Sequence, residues 1–65
     1  MRANKYKYRN YWILTEESAD GYRAIIWIVG SPEHKQIVAE DVFSNGQAQA
    51  KAEHYIDKIQ RFVQI

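Results

Sequence analysis

The sequence lacks the features that usually stabilise a very short chain or anchor it in a membrane. Its 65 residues include no cysteine, so the chain can form neither disulfide bonds nor a thiolate zinc site. No apolar run approaches the roughly 18 residues of a membrane-spanning helix, and basic residues interrupt the apolar ones near the N-terminus. We therefore expect one cytoplasmic domain over residues 1–65, stabilised by a packed core or by oligomerisation.

The charges nearly cancel in total but are segregated along the chain. The formal net charge is +1, and apolar residues make up 46% of the sequence, which is enough for a hydrophobic core. Residues 1–12 contain four cations and no acid, whereas residues 13–41 contain six acids and two cations. The chain thus has a basic end and an acidic middle.

Three stretches have the alternation, or the β-branched and aromatic content, that is typical of strands. The first runs from Tyr6 to Leu14, and a polar segment that ends in Asp20-Gly21 separates it from the second, Tyr22 to Val29. A break around Pro32 precedes the third, from about Gln36 to Phe43. The two short connections predict an antiparallel sheet in the order 1-2-3.

A helix is predicted from Ser44 onwards, because Ser44 and Gln47 have the spacing of a capping box. Apolar residues then recur every three or four positions, which predicts one stripe packed on the sheet. The stripe contains Ala48, Ala52, Tyr55, Ile56, Ile59 and Val63. The predicted fold is therefore α+β: a three-stranded antiparallel sheet followed by one C-terminal helix packed on one face, a β-β-β-α domain.

One helix covers only one face of a sheet, yet the second predicted strand is apolar on both faces. We expect the helix-covered core to contain Tyr8, Trp12, Leu14, Tyr22, Ala24, Ile26, Ile28, Val38, Val42, Ala52, Tyr55, Ile56 and Ile59. The other face then exposes an apolar patch large enough to bind a partner protein or a second copy of the chain. This interface is predicted to contain Tyr11, Ile13, Ile25, Trp27 and Val29, with Trp27 at its centre. Alternatively, the N-terminal segment or the tail from Phe62 to Ile65 folds over the patch.

Nucleic-acid binding is the alternative function, because cations and aromatic residues are interleaved on the first two strands. The helix carries a second basic stripe, in which His54 stands among three cations. The candidate nucleic-acid contacts are Lys5, Lys7, Arg9, Arg23, Lys51, Lys58 and Arg61. The sequence pI of about 8.0 is below the value above 9 that is typical of dedicated nucleic-acid domains.

An enzymatic function is not expected. The two histidines, His34 and His54, have no neighbouring nucleophile in the sequence, and the glycines form no phosphate-binding motif. Adjacent acids such as Glu16 and Glu17 point to opposite faces of a strand and cannot converge on one substrate atom. We expect no catalytic residue, metal, cofactor or small-molecule substrate.

Phe43 stands ahead of an alanine-bearing helix, and Asp20-Gly21-Tyr22 stands at the start of a strand. With the order of elements, the first feature resembles DNA-binding domains of integrases and of a plant transcription-factor family, and the second resembles HicB-type antitoxins. In the plant family the second strand belongs to an arginine-rich surface, whereas here it contains Ile25, Trp27 and Val29. The likeness lies in element order, and we assign no family on it.

Overall fold

The computed structural model of the chain describes residues 3–63. Its elements are β1 (Ala3–Tyr8), β2 (Tyr11–Ser18), β3 (Gly21–Ile28), β4 (Gln36–Val42) and α1 (Asn45–Val63). The strands lie side by side in sequence order, and each neighbouring pair is antiparallel. The prediction of an antiparallel sheet with a C-terminal helix is confirmed, but the number of strands is wrong: the sheet has four strands, not three.

The additional strand forms because the stretch that we predicted as one strand turns back at Arg9 and Asn10. Tyr8 pairs directly with Tyr11, so the turn contains two residues. Arg9 has a φ of 56°, a conformation that tight hairpins need and that glycine or asparagine usually supplies. The Asn10 carbonyl also accepts a hydrogen bond of 3.1 Å from the Val29 amide, which ties the turn to the end of β3. A turn without glycine is a weak sequence signal. The alternation of side chains that is typical of a strand also continues on both sides of this turn, so the sequence alone does not separate β1 from β2.

The turn changes which side chains share a face of the sheet. Tyr8 and Tyr11 face each other across the hairpin, so Tyr11 and Ile13 lie on the side that packs against α1. Ile13 is fully buried there. The predicted exposure of Tyr11 and Ile13 on the uncovered face is therefore wrong, as is the predicted core position of Trp12 and Leu14. Side-chain direction has a period of two along a strand, so a missed two-residue turn reverses every later assignment in that strand.

The core lies between the sheet and α1. Alanines at Ala48 and Ala52, with Ile56 one turn further on, form the buried face of the helix. Their small side chains let the helix lie close to the sheet. The buried cluster consists of Ile13, Ala24, Ile26, Ala39, Ala48, Ala52 and Ile56, and partly buried hydrophobic residues surround it.

The helix begins where the sequence predicts. The Gln47 amide donates a hydrogen bond of 3.2 Å to the Ser44 hydroxyl, and the Phe43 amide donates one of 3.0 Å to Oε1 of Gln47. These two bonds satisfy amide groups that a helix start otherwise leaves without partners. Phe43 itself is 88% exposed and is not part of the core.

Candidate functional site: the open sheet face

The surface of the sheet turned away from α1, here called the open sheet face, is built from residues that pair across the strands. Trp12 of β2 lies opposite Trp27 of β3. A second row runs across three strands, because Ile25 pairs with Leu14 on one side and with Ile37 on the other. The open sheet face thus has an apolar centre that consists of Trp12, Leu14, Ile25, Trp27 and Ile37.

Cations border this apolar centre. Lys7 pairs with Trp12, and Lys5 pairs with Leu14, which places both lysines on the same face. The ammonium nitrogen of Lys5 lies 4.9 Å from the centre of the Trp12 ring, and that of Lys35 lies 5.0 Å from the centre of the Trp27 ring. Such contacts combine attraction between the cation and the ring with burial of the aliphatic stem of the lysine. Each tryptophan therefore carries a lysine on its surface.

One ion pair lies on the same face. Arg23 of β3 is directly opposite Glu16 of β2 and forms a salt bridge with its carboxylate. The Glu16 side chain is 16% exposed and that of Arg23 is 38% exposed. This pair neutralises Arg23, whereas Lys5, Lys7 and Lys35 have no acidic partner among the described residues. The border that Lys5, Lys7 and Lys35 form is consequently basic.

The apolar side chains differ in how much surface they offer to a partner. Ile37 is 51% exposed, whereas Trp27 is only 8% exposed. Trp12, Leu14 and Ile25 have intermediate exposure. The accessible part of the open sheet face therefore extends from Trp12 across Ile25 to Ile37. Trp27 is buried beneath its neighbours and contributes little accessible surface.

The structure brings together only part of each set of residues singled out from the sequence. Of the predicted interface, Ile25 and Trp27 lie on the open sheet face, and Val29 follows β3 with partial exposure. Sequence patterns alone missed Trp12 and Leu14, because the turn at Arg9 was not recognised. The predicted interface did not include Lys35, which lies in the loop before β4, or Ile37, although alternation with the predicted core residue Val38 places Ile37 on the uncovered face. Tyr11 and Ile13 belong to the helix side, as described above.

The predicted nucleic-acid contacts are divided between two surfaces. Lys5, Lys7 and Arg23 lie on the open sheet face. Lys51, Lys58 and Arg61 are exposed on α1, on the other side of the sheet. Arg9 belongs to neither group, because its Nε donates a hydrogen bond of 2.9 Å to Asp57 of α1. The seven cations do not form one continuous binding surface.

Two tyrosines of β1 connect the strand to acids on α1. The Tyr6 hydroxyl donates a hydrogen bond of 2.8 Å to Glu53, and the Tyr8 hydroxyl donates one of 3.0 Å to Asp57. Burial, followed by the adjacent Glu53 carboxylate, raises the pKa of the Tyr6 phenol. The phenols therefore act as hydrogen-bond donors that hold the acids of the helix toward β1.

Residues 3–63 contain no group of three or more His, Asp or Glu side chains placed to hold a metal ion. Within the same range, no helix combines the length and the apolar content that crossing a membrane requires. Comparisons with known proteins find no matching family model, no similar curated protein and no similar solved structure.

Proposed function

We propose that this chain is a small, non-catalytic interaction domain that binds a partner protein through the open sheet face. The observation that carries the proposal is the apolar row of Leu14, Ile25 and Ile37, which lies on the face that α1 does not cover. An antiparallel sheet with one solvated face normally carries polar residues on that face. Contiguous apolar surface with a charged border is typical of protein interaction sites.

The charges on this face favour an acidic partner over a second copy of the chain. Two copies docked face to face would bring Lys5, Lys7 and Lys35 of one copy close to the same cations of the other. Like charges at an interface oppose association, whereas opposite charges speed encounter and fix the orientation. We therefore propose a different protein as the occupant, with an apolar centre and acidic residues around it.

Ile37 offers the sharpest test, because it is exposed and lies at the edge of the apolar row. Ile37→Glu places a carboxylate there without removing a buried side chain. Ile28→Glu is a matched control, because Ile28 is also partly exposed, at 43%, but lies on the opposite face of the sheet. It pairs with Tyr11, which is on the side that packs against α1. Both variants should remain folded, which thermal denaturation checks.

The experiment combines cross-linking in extracts of the source cell with solvent footprinting of the open sheet face. We expect wild type and Ile28→Glu to capture the same protein, with Trp12 and Ile37 protected in the complex. We expect Ile37→Glu to lose that capture, because docking would bury an unpaired carboxylate against apolar surface, which costs about 2 kcal/mol or more. Equal capture by both variants, or protection confined to α1, would contradict the proposal. A dimer that Ile37→Glu dissociates would identify a second copy as the occupant instead.

A second candidate function is single-stranded nucleic-acid binding through the same face. It is favoured by Trp12, whose ring is partly exposed on the central strand β2, and by the neighbouring cations Lys5 and Lys7. Aromatic side chains on the central strands of a four-stranded sheet are a known platform for stacked bases, and nearby cations bind the phosphates. Salt separates the two functions, because phosphate contacts weaken steeply as the salt concentration rises and apolar contacts do not.

A further inference from the structure

The exposed side of α1 and the edge strand β4 line a shallow, largely open groove of about 350 Å³ on the helix side of the molecule. Val38 and Ala50 give it apolar lining, and the Tyr55 side chain contributes an aromatic ring. The Tyr55 hydroxyl accepts a hydrogen bond from the Gln36 side chain, which fixes the tyrosine against β4. The groove is within the size range of small-molecule sites.

Besides Tyr55, the polar side chains of the groove belong to basic residues. Lys51, His54 and Lys58 complete its lining, and no acid within residues 3–61 lines it. Lys51 and Lys58 are seven residues apart, which corresponds to two helical turns and about 10 Å. Their flexible stems allow both ammonium groups to approach a ligand between them.

These lysines have no acidic partner within residues 3–63. The two acids of α1 are oriented elsewhere: Glu53 accepts a hydrogen bond from Tyr6, and Asp57 accepts bonds from Tyr8 and Arg9. The helix thus has an acidic side bound to β1 and a basic side that lines the groove. Its positive charge remains available to an external anion.

We infer that this groove binds a small organic anion with an aromatic or aliphatic body. The negative group would interact with Lys51 and Lys58, and the body would lie against Val38, Ala50 and Tyr55. An inorganic ion would use the lysines alone and leave the apolar lining empty. The groove lies on the other side of the sheet from the open sheet face, so this inference stands independently of the proposed function.

Phenyl phosphate is a suitable probe, because it combines an anionic group with an aromatic ring. We expect a titration followed by ¹H–¹⁵N NMR to show saturable shifts at groove residues such as Ala50, Lys51 and Tyr55. Inorganic phosphate should bind about tenfold more weakly, since it lacks the apolar body. Equal affinity for the two would indicate an adventitious ion only and would overturn the inference.

A pair of double variants controls for charge. Lys51→Gln with Lys58→Gln should raise the Kd for phenyl phosphate about tenfold or more. Lys5→Gln with Lys7→Gln removes the same charge from the opposite side of the sheet and should change the Kd less than about twofold. Equal loss in both double variants would show unspecific attraction and contradict the inference.

A further variant tests the groove without removing a lysine. Ala50→Glu adds a carboxylate to the groove at an exposed helix position and should also abolish the shifts. Shifts that persist in Ala50→Glu, or that occur on the open sheet face, would likewise overturn the inference.

Discussion

Replacing Trp27 with alanine tests how the open sheet face is held together. Trp27 lies away from α1 and outside the buried cluster, yet it is only 8% exposed. Trp12 is directly opposite it on β2, and Lys35 lies above its ring. The face therefore has a small buried layer of its own, and Trp27 is the residue at its base.

The expected cost follows from this burial. Removing a buried tryptophan typically lowers the free energy of unfolding by about 3–5 kcal/mol. Because the site borders solvent, Trp12 and Lys35 can partly fill the space, so we expect the lower end, about 3 kcal/mol. A domain of this size has a total stability of only about 3–5 kcal/mol. Trp27→Ala should therefore retain only about 0–2 kcal/mol of stability, so that up to about half of the protein is unfolded near room temperature.

Thermal denaturation followed by far-ultraviolet circular dichroism measures the effect. A loss of 3 kcal/mol should lower the Tm by more than about 12 °C, at roughly 4–8 °C for each kcal/mol in domains of this length. Ile37→Ala, on the same face but 51% exposed, is the control and should cost less than about 1 kcal/mol. A Trp27→Ala protein with the Tm of the wild type would refute the reasoning and show that Trp27 is an accessible contact.

Three further changes test other parts of the structure. Gly21→Ala should lower the Tm, because a β-carbon at this position would lie 2.5 Å from the carbonyl oxygen of Val42; an unchanged melting curve would rule out this close approach. Thr15 is fully buried and its hydroxyl has no hydrogen-bond partner among the described residues, so Thr15→Val should leave the free energy of unfolding unchanged or raise it by about 1 kcal/mol in urea titrations. A loss of stability there would reveal a bond to the hydroxyl. If nucleic acid binds the open sheet face, Lys5→Gln with Lys7→Gln should reduce the log-log salt slope for single-stranded RNA by about 1.4, at about 0.7 for each phosphate contact; no detectable binding at low salt would remove that candidate function.

The helix and the central strand could be predicted because their signals are local. Ser44 and Gln47 define the helix start, and the alanines at a spacing of four define its buried side. The β-branched and aromatic residues from Tyr22 onwards predict β3 in nearly its observed range. None of these features depends on a distant part of the chain.

The side-chain directions that the sequence did not predict depend on the backbone conformations of single residues. The types of these residues do not indicate such conformations. Arg9 adopts a positive φ without being glycine, and the pairing that it creates reverses the faces of Trp12 and Leu14. Asp41 also has a positive φ, at 55°, and the pairing of β3 with β4 shifts between Tyr22 and Ile25. Such bulges change the direction of side chains without changing composition. The turn at Arg9 therefore concealed the positions of Trp12 and Leu14, and the irregular pairing of β4 placed Ala39 in the core.

The charge distribution of α1 depends on β1, the strand that sequence patterns did not separate. On an isolated helix, Asp57 would be in position to pair with Arg61 four residues later. In the folded chain, Asp57 instead accepts bonds from Tyr8 and Arg9. Arg61 and the lysines of the groove then have no acidic partner among the described residues and can bind an external anion. The hairpin at Arg9 thus has two consequences for binding: it places Trp12 on the open sheet face, and it withdraws acids from the opposite side of the helix.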